Sequence, residues 1–221
     1  MSQSIPNLDA VLEYAKVMAS NEELHPDLQP YLEEGAIGPQ LRHPLVYLVP
    51  LWGNGHANAL YEQKVKAVKD ALANQKYSSY IFLHERPYRL NAFTLIQSKL
   101  SDTQYWSLLS DIWTDTENQW QGLDNWKQLL SSKRPSRHYL MNEEEFNLLQ
   151  SLPENVVIYR GCQPKVNENG LSWTLNKKKA EFFANRFGKK GIILERTISK
   201  NDIVAVLLGR GESEVIWEEK K

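Results

Sequence analysis

The run Val156-Val157-Ile158-Tyr159-Arg160-Gly161 marks a change of texture in the chain. Its β-branched and aromatic residues read as a strand, and Arg160 and Gly161 close it. Further short runs of the same type follow at Ile192–Leu194, Ile203–Leu208 and Val215–Trp217. Between the first two lies a helical segment, with Asn176 placed as cap, an apolar face of Ala180, Phe182, Phe183, Ala184 and Phe187, and Gly188 as its stop. Upstream, the spacing predicts helices. Leu8, Val11, Leu12, Ala15, Met18 and Ala19 recur at helical spacing behind Asn7, and a second face runs through Tyr61, Val65, Val68 and Leu72. Asp102 is placed to cap a third helix carrying Tyr105, Leu108, Leu109, Ile112 and Trp113, and Asn142 with Glu145 forms a capping-box pattern. Helices followed by strands, with little alternation, predict an α+β fold. The expected division is a helical region over 1–150 and a β-rich region over 151–221.

Charge follows the same division. The whole chain of 221 residues is nearly neutral at −1, which gives no electrostatic mark of a nucleic-acid or membrane binder. Residues 1–150 nevertheless carry 13 Lys and Arg against 18 Asp and Glu, whereas residues 151–221 carry 13 against 9. The basic end is therefore where an anionic ligand is expected. A single cysteine, Cys162, excludes an internal disulfide framework, and no Cys pair is spaced for zinc. The start, MSQSIPNLD, has no basic segment followed by an apolar one, and the apolar stretch Pro44–Trp52 is far short of the ~20 residues needed to span a bilayer. The expectation is a cytoplasmic protein with no membrane partner. His25, His43, His56, His84 and His138 are scattered without ligand spacing, so no metal is expected. Phosphate-loop, dinucleotide-fingerprint, zincin and nucleophile-elbow patterns are all missing.

Three short motifs remain in the basic part. Arg160 at a strand end beside Gly161 can offer its planar fork to a phosphate where the backbone comes close to a ligand. Ser172 and Thr174, in Leu171-Ser172-Trp173-Thr174, share one strand face, with Trp173 on the other. Glu212 and Glu214 follow the turn Gly209-Arg210-Gly211, and on a strand they would point the same way, roughly 6–7 Å apart. Singly, each has a plain structural reading: a strand-end arginine, ordinary strand composition and a solubilised edge. Paired carboxylates also suit chemistry in which one stabilises a cationic transition state and the other takes a proton.

In this order, with the intervening helix through Phe182-Phe183-Ala184, the motifs resemble those of the mono-ADP-ribosyltransferases of the R-S-E type over about residues 155–217. The whole chain, including Trp113-Thr114-Asp115-Thr116-Glu117-Asn118, looks like a group of phage and bacterial proteins that includes defence toxins, one kind of which modifies messenger RNA. The resemblance implies a split β-sheet core and cleavage of NAD between nicotinamide and ribose, with transfer of ADP-ribose to an acceptor. By motif position, Glu214 would hold the ribose 2′-hydroxyl and stabilise the developing cation, and Glu212 would orient or deprotonate the nucleophile. Arg160 would grip phosphate, Gly161 would hold the nicotinamide amide, Ser172 would position Glu214, and Thr174 would join the NAD site. Two features depart from the pattern. The middle motif is Ser172-Trp173-Thr174 where the family has Ser-Thr-Ser. The target-recognising loop before Glu212 shrinks to Gly209-Arg210-Gly211, so acceptor recognition is expected from the helical part.

Outside the motifs, Arg186-Phe187-Gly188-Lys189-Lys190 has a plain reading as a solvated helix end and a functional one as a pyrophosphate contact, with Phe187 stacking on nicotinamide. Trp106, Trp113 and Trp120 recur every seven residues, the spacing of a buried stripe; the other reading is a platform for single-stranded bases. Lys133, Arg134 and Arg137 form a compact basic cluster, a surface loop or a contact to an acceptor's phosphate backbone. RNA is the favoured acceptor on the whole-chain resemblance, with protein arginine as the alternative. An NAD glycohydrolase and a non-catalytic interaction module are the other readings. A toxin would also imply an antitoxin partner.

Overall fold

The computed structural model describes residues 22–36, 38–48, 53–186, 188, 191–209 and 211–219. The fold is α+β, as the sequence predicts, with two antiparallel sheets. The chain divides into two compact units between Ile96 and Gln97 rather than near residue 150. Helices of the middle third therefore belong with the C-terminal strands.

The first unit is not purely helical. It holds a three-stranded antiparallel sheet of β1 (Leu32–Gly35), β2 (Gly38–His43) and β3 (Val46–Leu48), followed by α1 (Asn54–Ala73), α2 (Tyr77–Leu83) and α3 (Arg89–Ile96). The sheet escapes the sequence because Gly38-Pro39-Gln40 reads as a loop, and of β2 only Leu41 is fully buried. Leu41 and Val46 pack with Leu24, Leu28, Leu45, Ala57 and Tyr61. Val65 and Val68 of the expected face on α1 lie against them. The helix expected over Leu8–Ala19 lies outside the described residues.

Two histidines make this unit sensitive to acid. Burial pushes both His43 and His84 below the ordinary 6.5. Nδ1 of His43 accepts from the Leu45 amide at 3.0 Å, a bond available only to the neutral ring. Below pH 6.5 the unfolded chain takes up protons that the folded one resists, so stability is highest above that pH and declines as pH falls. The urea midpoint followed by circular dichroism should drop between pH 7.5 and 5.5, and a His43→Asn/His84→Asn variant should show a smaller drop. Equal drops in both proteins would refute the assignment.

The second unit begins with α4 (Asp102–Asp115). Its cap is Ser101, not Asp102: the Ser101 hydroxyl accepts from the Gln104 amide and the Gln104 side chain returns to the Ser101 amide. After α5 (Leu123–Leu130), the predicted box at Asn142 opens α6 (Glu143–Ser151). The buried Glu145 carboxylate takes the Asn142 amide at 2.9 Å on one oxygen and the Leu208 amide at 2.7 Å on the other. Trp106, Trp113 and Trp126 are wholly buried, and the rings of Trp113 and Trp126 meet edge to face at 4.9 Å. The stripe is core for these residues, but Trp120 is 51% exposed.

The strands are β4 (Asn155–Cys162), β5 (Ser172–Thr174), β6 (Ile192–Ser199), β7 (Ala205–Leu207) and β8 (Glu214–Ile216), with α7 (Lys177–Asn185) between β5 and β6. They form one antiparallel sheet in the order β6-β4-β5-β8-β7. β4 and β6 pair from Asn155↔Ser199 to Cys162↔Ile192, whereas β4 and β5 share only Tyr159↔Thr174. The sheet thus parts into two halves joined by one rung. One face buries Ile158, Trp173, Val206 and Val215 with Leu149 of α6. By alternation, the opposite face carries Tyr159, Ser172, Thr174 and Glu214.

Candidate functional site

Where the two halves of the sheet part, a cavity of about 220 Å³ opens. Arg160, Gly161, Ser172, Thr174, Glu212 and Glu214 all line it, so the fold brings together all three motifs. Ser172 and Glu214 are neighbours because β5 and β8 pair in a register that sets Thr174 opposite Glu214 and Ser172 opposite Ile216. The Ser172 hydroxyl donates to Oε1 of Glu214, which fixes one oxygen of that carboxylate.

Arg160 is held from within the protein. Its Nη1 donates to the Ser172 carbonyl, and Nη2 and Nε donate to the Asn167 carbonyl at 2.7 and 3.3 Å. The guanidinium therefore stitches β4 to β5 where the backbone ladder has ended. Those bonds use three of its five N–H groups, and Arg160 also lines the cavity. Burial pushes the guanidinium below its ordinary value, and the charge of Glu214 acts the other way. Gly170 exists to make room for it: a Cβ there would lie 2.0 Å from Nη2.

Gly161 has a packing role of its own. A Cβ at that position would come within 1.9 Å of the Ala180 carbonyl oxygen and 2.6 Å of the Ala184 amide, so α7 can lie on β4 only over a glycine. Thr174 is buried and its hydroxyl is engaged, donating to the Glu212 carbonyl at 2.6 Å and accepting from the Asn176 amide at 3.0 Å. It positions the Glu212 segment and the start of α7, where Asn176 caps the helix as predicted.

The two carboxylates do not stand at alternate positions of one strand. β8 starts at Glu214, and Ser213 has φ +45°, a left-handed conformation that breaks the pleat between them. Both are half-buried and both line the cavity, but the turn at Ser213 rather than strand periodicity aims Glu212. The thiol of Cys162 is buried and burial pushes it up, so it is no candidate nucleophile.

The proposed acceptor cluster is not at this site. Arg134 is spent on the helical core, donating to the carbonyls of Leu100 at 3.0 Å and Gln97 at 2.9 Å, pairing with Asp102 at 3.3 Å and lying over the Tyr105 ring. Lys133 is exposed and does not line the cavity, and Arg137 lines a different hollow beside Trp217 and Asn201. Phe187, Lys189 and Lys190 lie outside the described residues. Arg186, from the same basic segment, does line the cavity, as does Phe183 of α7.

A further wall was not foreseen. Glu117, Asn118, Gln119, Trp120 and Leu123, from the connection between α4 and α5, complete the cavity. Its sequence signal is the recurrence of Trp120 seven residues after Trp113, which the sequence leaves open between a buried stripe and a stacking platform. Among the described residues no group of His, Cys, Asp and Glu is placed to hold a metal, and no helix is long and apolar enough to cross a membrane. No family model, curated protein or solved structure matches the chain.

Proposed function

We propose that the chain is a mono-ADP-ribosyltransferase that uses NAD as co-substrate and a macromolecule as acceptor. The observation that carries this reading is the cavity in which Arg160, the Ser172-bound Glu214 and Glu212 come together from three separate stretches of sequence. Its lining suits a dinucleotide that develops positive charge at a sugar, with arginines for phosphate and carboxylates for the cation. At about 220 Å³ it is smaller than the ~300 Å³ at which pockets for whole ligands begin, which suits the nicotinamide–ribose end of NAD.

In this reaction the bond between ribose C1′ and the nicotinamide nitrogen breaks, and its electron pair leaves with neutral nicotinamide. Glu214, oriented by Ser172, stabilises the oxocarbenium ion that remains. The acceptor nucleophile attacks C1′ and gives its proton to Glu212. Arg186 and the remaining fork of Arg160 face the pyrophosphate. RNA as acceptor, and a toxin acting in phage–host conflict with an antitoxin partner, follow from the whole-chain resemblance alone, since Arg134 no longer supports a phosphate-backbone contact.

The test is incubation of the protein with NAD labelled on the adenylate phosphate and whole-cell lysate. Label should enter macromolecules and be released by RNase but not by protease. Release by protease would move the acceptor to protein, and free ADP-ribose alone would make the enzyme a glycohydrolase. NAD left intact would overturn the proposal.

A further inference from the structure

The loop that the transferase pattern assigns to acceptor recognition is only the turn around Gly209 here, and another segment stands in its place. Gly209 abuts the end of α4: a Cβ on it would lie 3.8 Å from Cγ2 of Thr114. Directly beyond, the chain passes through Glu117–Trp120 and a 3₁₀ turn, Gln119–Gly122, before α5. This connection is fastened. The Thr116 amide and hydroxyl both close on the Ile112 carbonyl, and Nε2 of Gln119 donates to the Thr116 carbonyl at 3.1 Å and the Trp113 carbonyl at 3.5 Å. Trp120 therefore follows directly on the end of a helix whose own Trp113 is wholly buried, and yet it is 51% exposed and lines the same cavity as Glu212 and Glu214. The other large aromatics of that stripe are core; this one faces a polar cavity of carboxylates and arginines, where burying it would have been the cheaper arrangement.

We infer that Trp120 is the acceptor-side wall of the site: a specificity-determining residue that stacks a flat, delocalised acceptor group so that its nucleophile, rather than water, reaches ribose C1′. This rests on the proposed transferase reading. A rigid indole has a large stacking face and loses little conformational freedom on contact. Without it nicotinamide still leaves and Glu214 still stabilises the oxocarbenium ion, and water takes the acceptor's place. Water's oxygen bonds to C1′, its proton passes to Glu212, and free ADP-ribose and nicotinamide result.

The experiment measures, in one reaction with labelled NAD and lysate, the share of cleaved NAD that ends on macromolecule. Trp120→Ala should lower that share about tenfold or more, with free ADP-ribose rising to match, and Trp120→Phe should restore most of it. An unchanged share would overturn the inference, whether because transfer and cleavage fall together or because neither falls. Failure of the reading beneath it looks different: the wild-type protein then leaves NAD intact.

Discussion

Glu214→Gln should lower the proposed ADP-ribosyl transfer by about 10²–10³-fold, the loss expected when a preorganised electrostatic contact to a developing charge is removed. The substitution keeps the shape of the side chain and an oxygen able to accept from the Ser172 hydroxyl, so β5 and β8 keep their register. What it removes is the negative charge, in a half-buried position where little water replaces it. The rate is read in single turnover with saturating labelled NAD, and folding is checked by thermal melting. A variant that melts like the wild type and transfers at an undiminished rate would remove Glu214 from the mechanism.

The second large effect is on the seam of the sheet. Arg160→Lys should destabilise the second unit by about 2–3 kcal/mol and weaken NAD binding, because an ammonium cannot span the carbonyls of Asn167 and Ser172 as the fork does. A half-buried carbonyl is then left without its donor. Gly170→Ala perturbs the same group from the other side. Its new methyl would meet the end of the arginine at 2.0 Å and displace the fork while its charge stays. Urea denaturation and NAD titration of the two variants check this. If Arg160→Lys unfolds at the wild-type urea concentration, the guanidinium does not hold the seam.

Much of this architecture was legible because it is local. The strands from Val156 onward announce themselves by β-branched runs, and Asn142 with Glu145 and Asn176 cap their helices by chemistry contained within a few residues. The cap one position away, at Ser101 instead of Asp102, shows how adjacent capping types compete for the same amides. The sheet over Leu32–Leu48 was illegible because β1 and β2 are mostly polar and are held by pairing across the sheet rather than by propensity. The candidate site was legible as a set of motifs but not as a geometry. The strand periodicity that would align Glu212 with Glu214 is broken by the left-handed Ser213, and Arg134 is tied to the carbonyls of Leu100 and Gln97 in a way that only tertiary packing reveals. Trp120 could not be separated from Trp106 and Trp113 because all three share one spacing, and only the end of α4 at Asp115 sets it apart.

The single rung between β4 and β5 has a consequence for how this protein can change over generations. Arg160 fastens that seam and also lines the cavity, so a substitution there alters the architecture and the cavity wall at once. Along the connection from Glu117 to Leu123, Gln119 shares that double duty, since it lines the cavity and also ties the carbonyls of Thr116 and Trp113, whereas Trp120 is half exposed. On the proposed transferase reading, heritable novelty in what is modified is thereby channelled to Trp120, while the seam at Arg160 stays frozen.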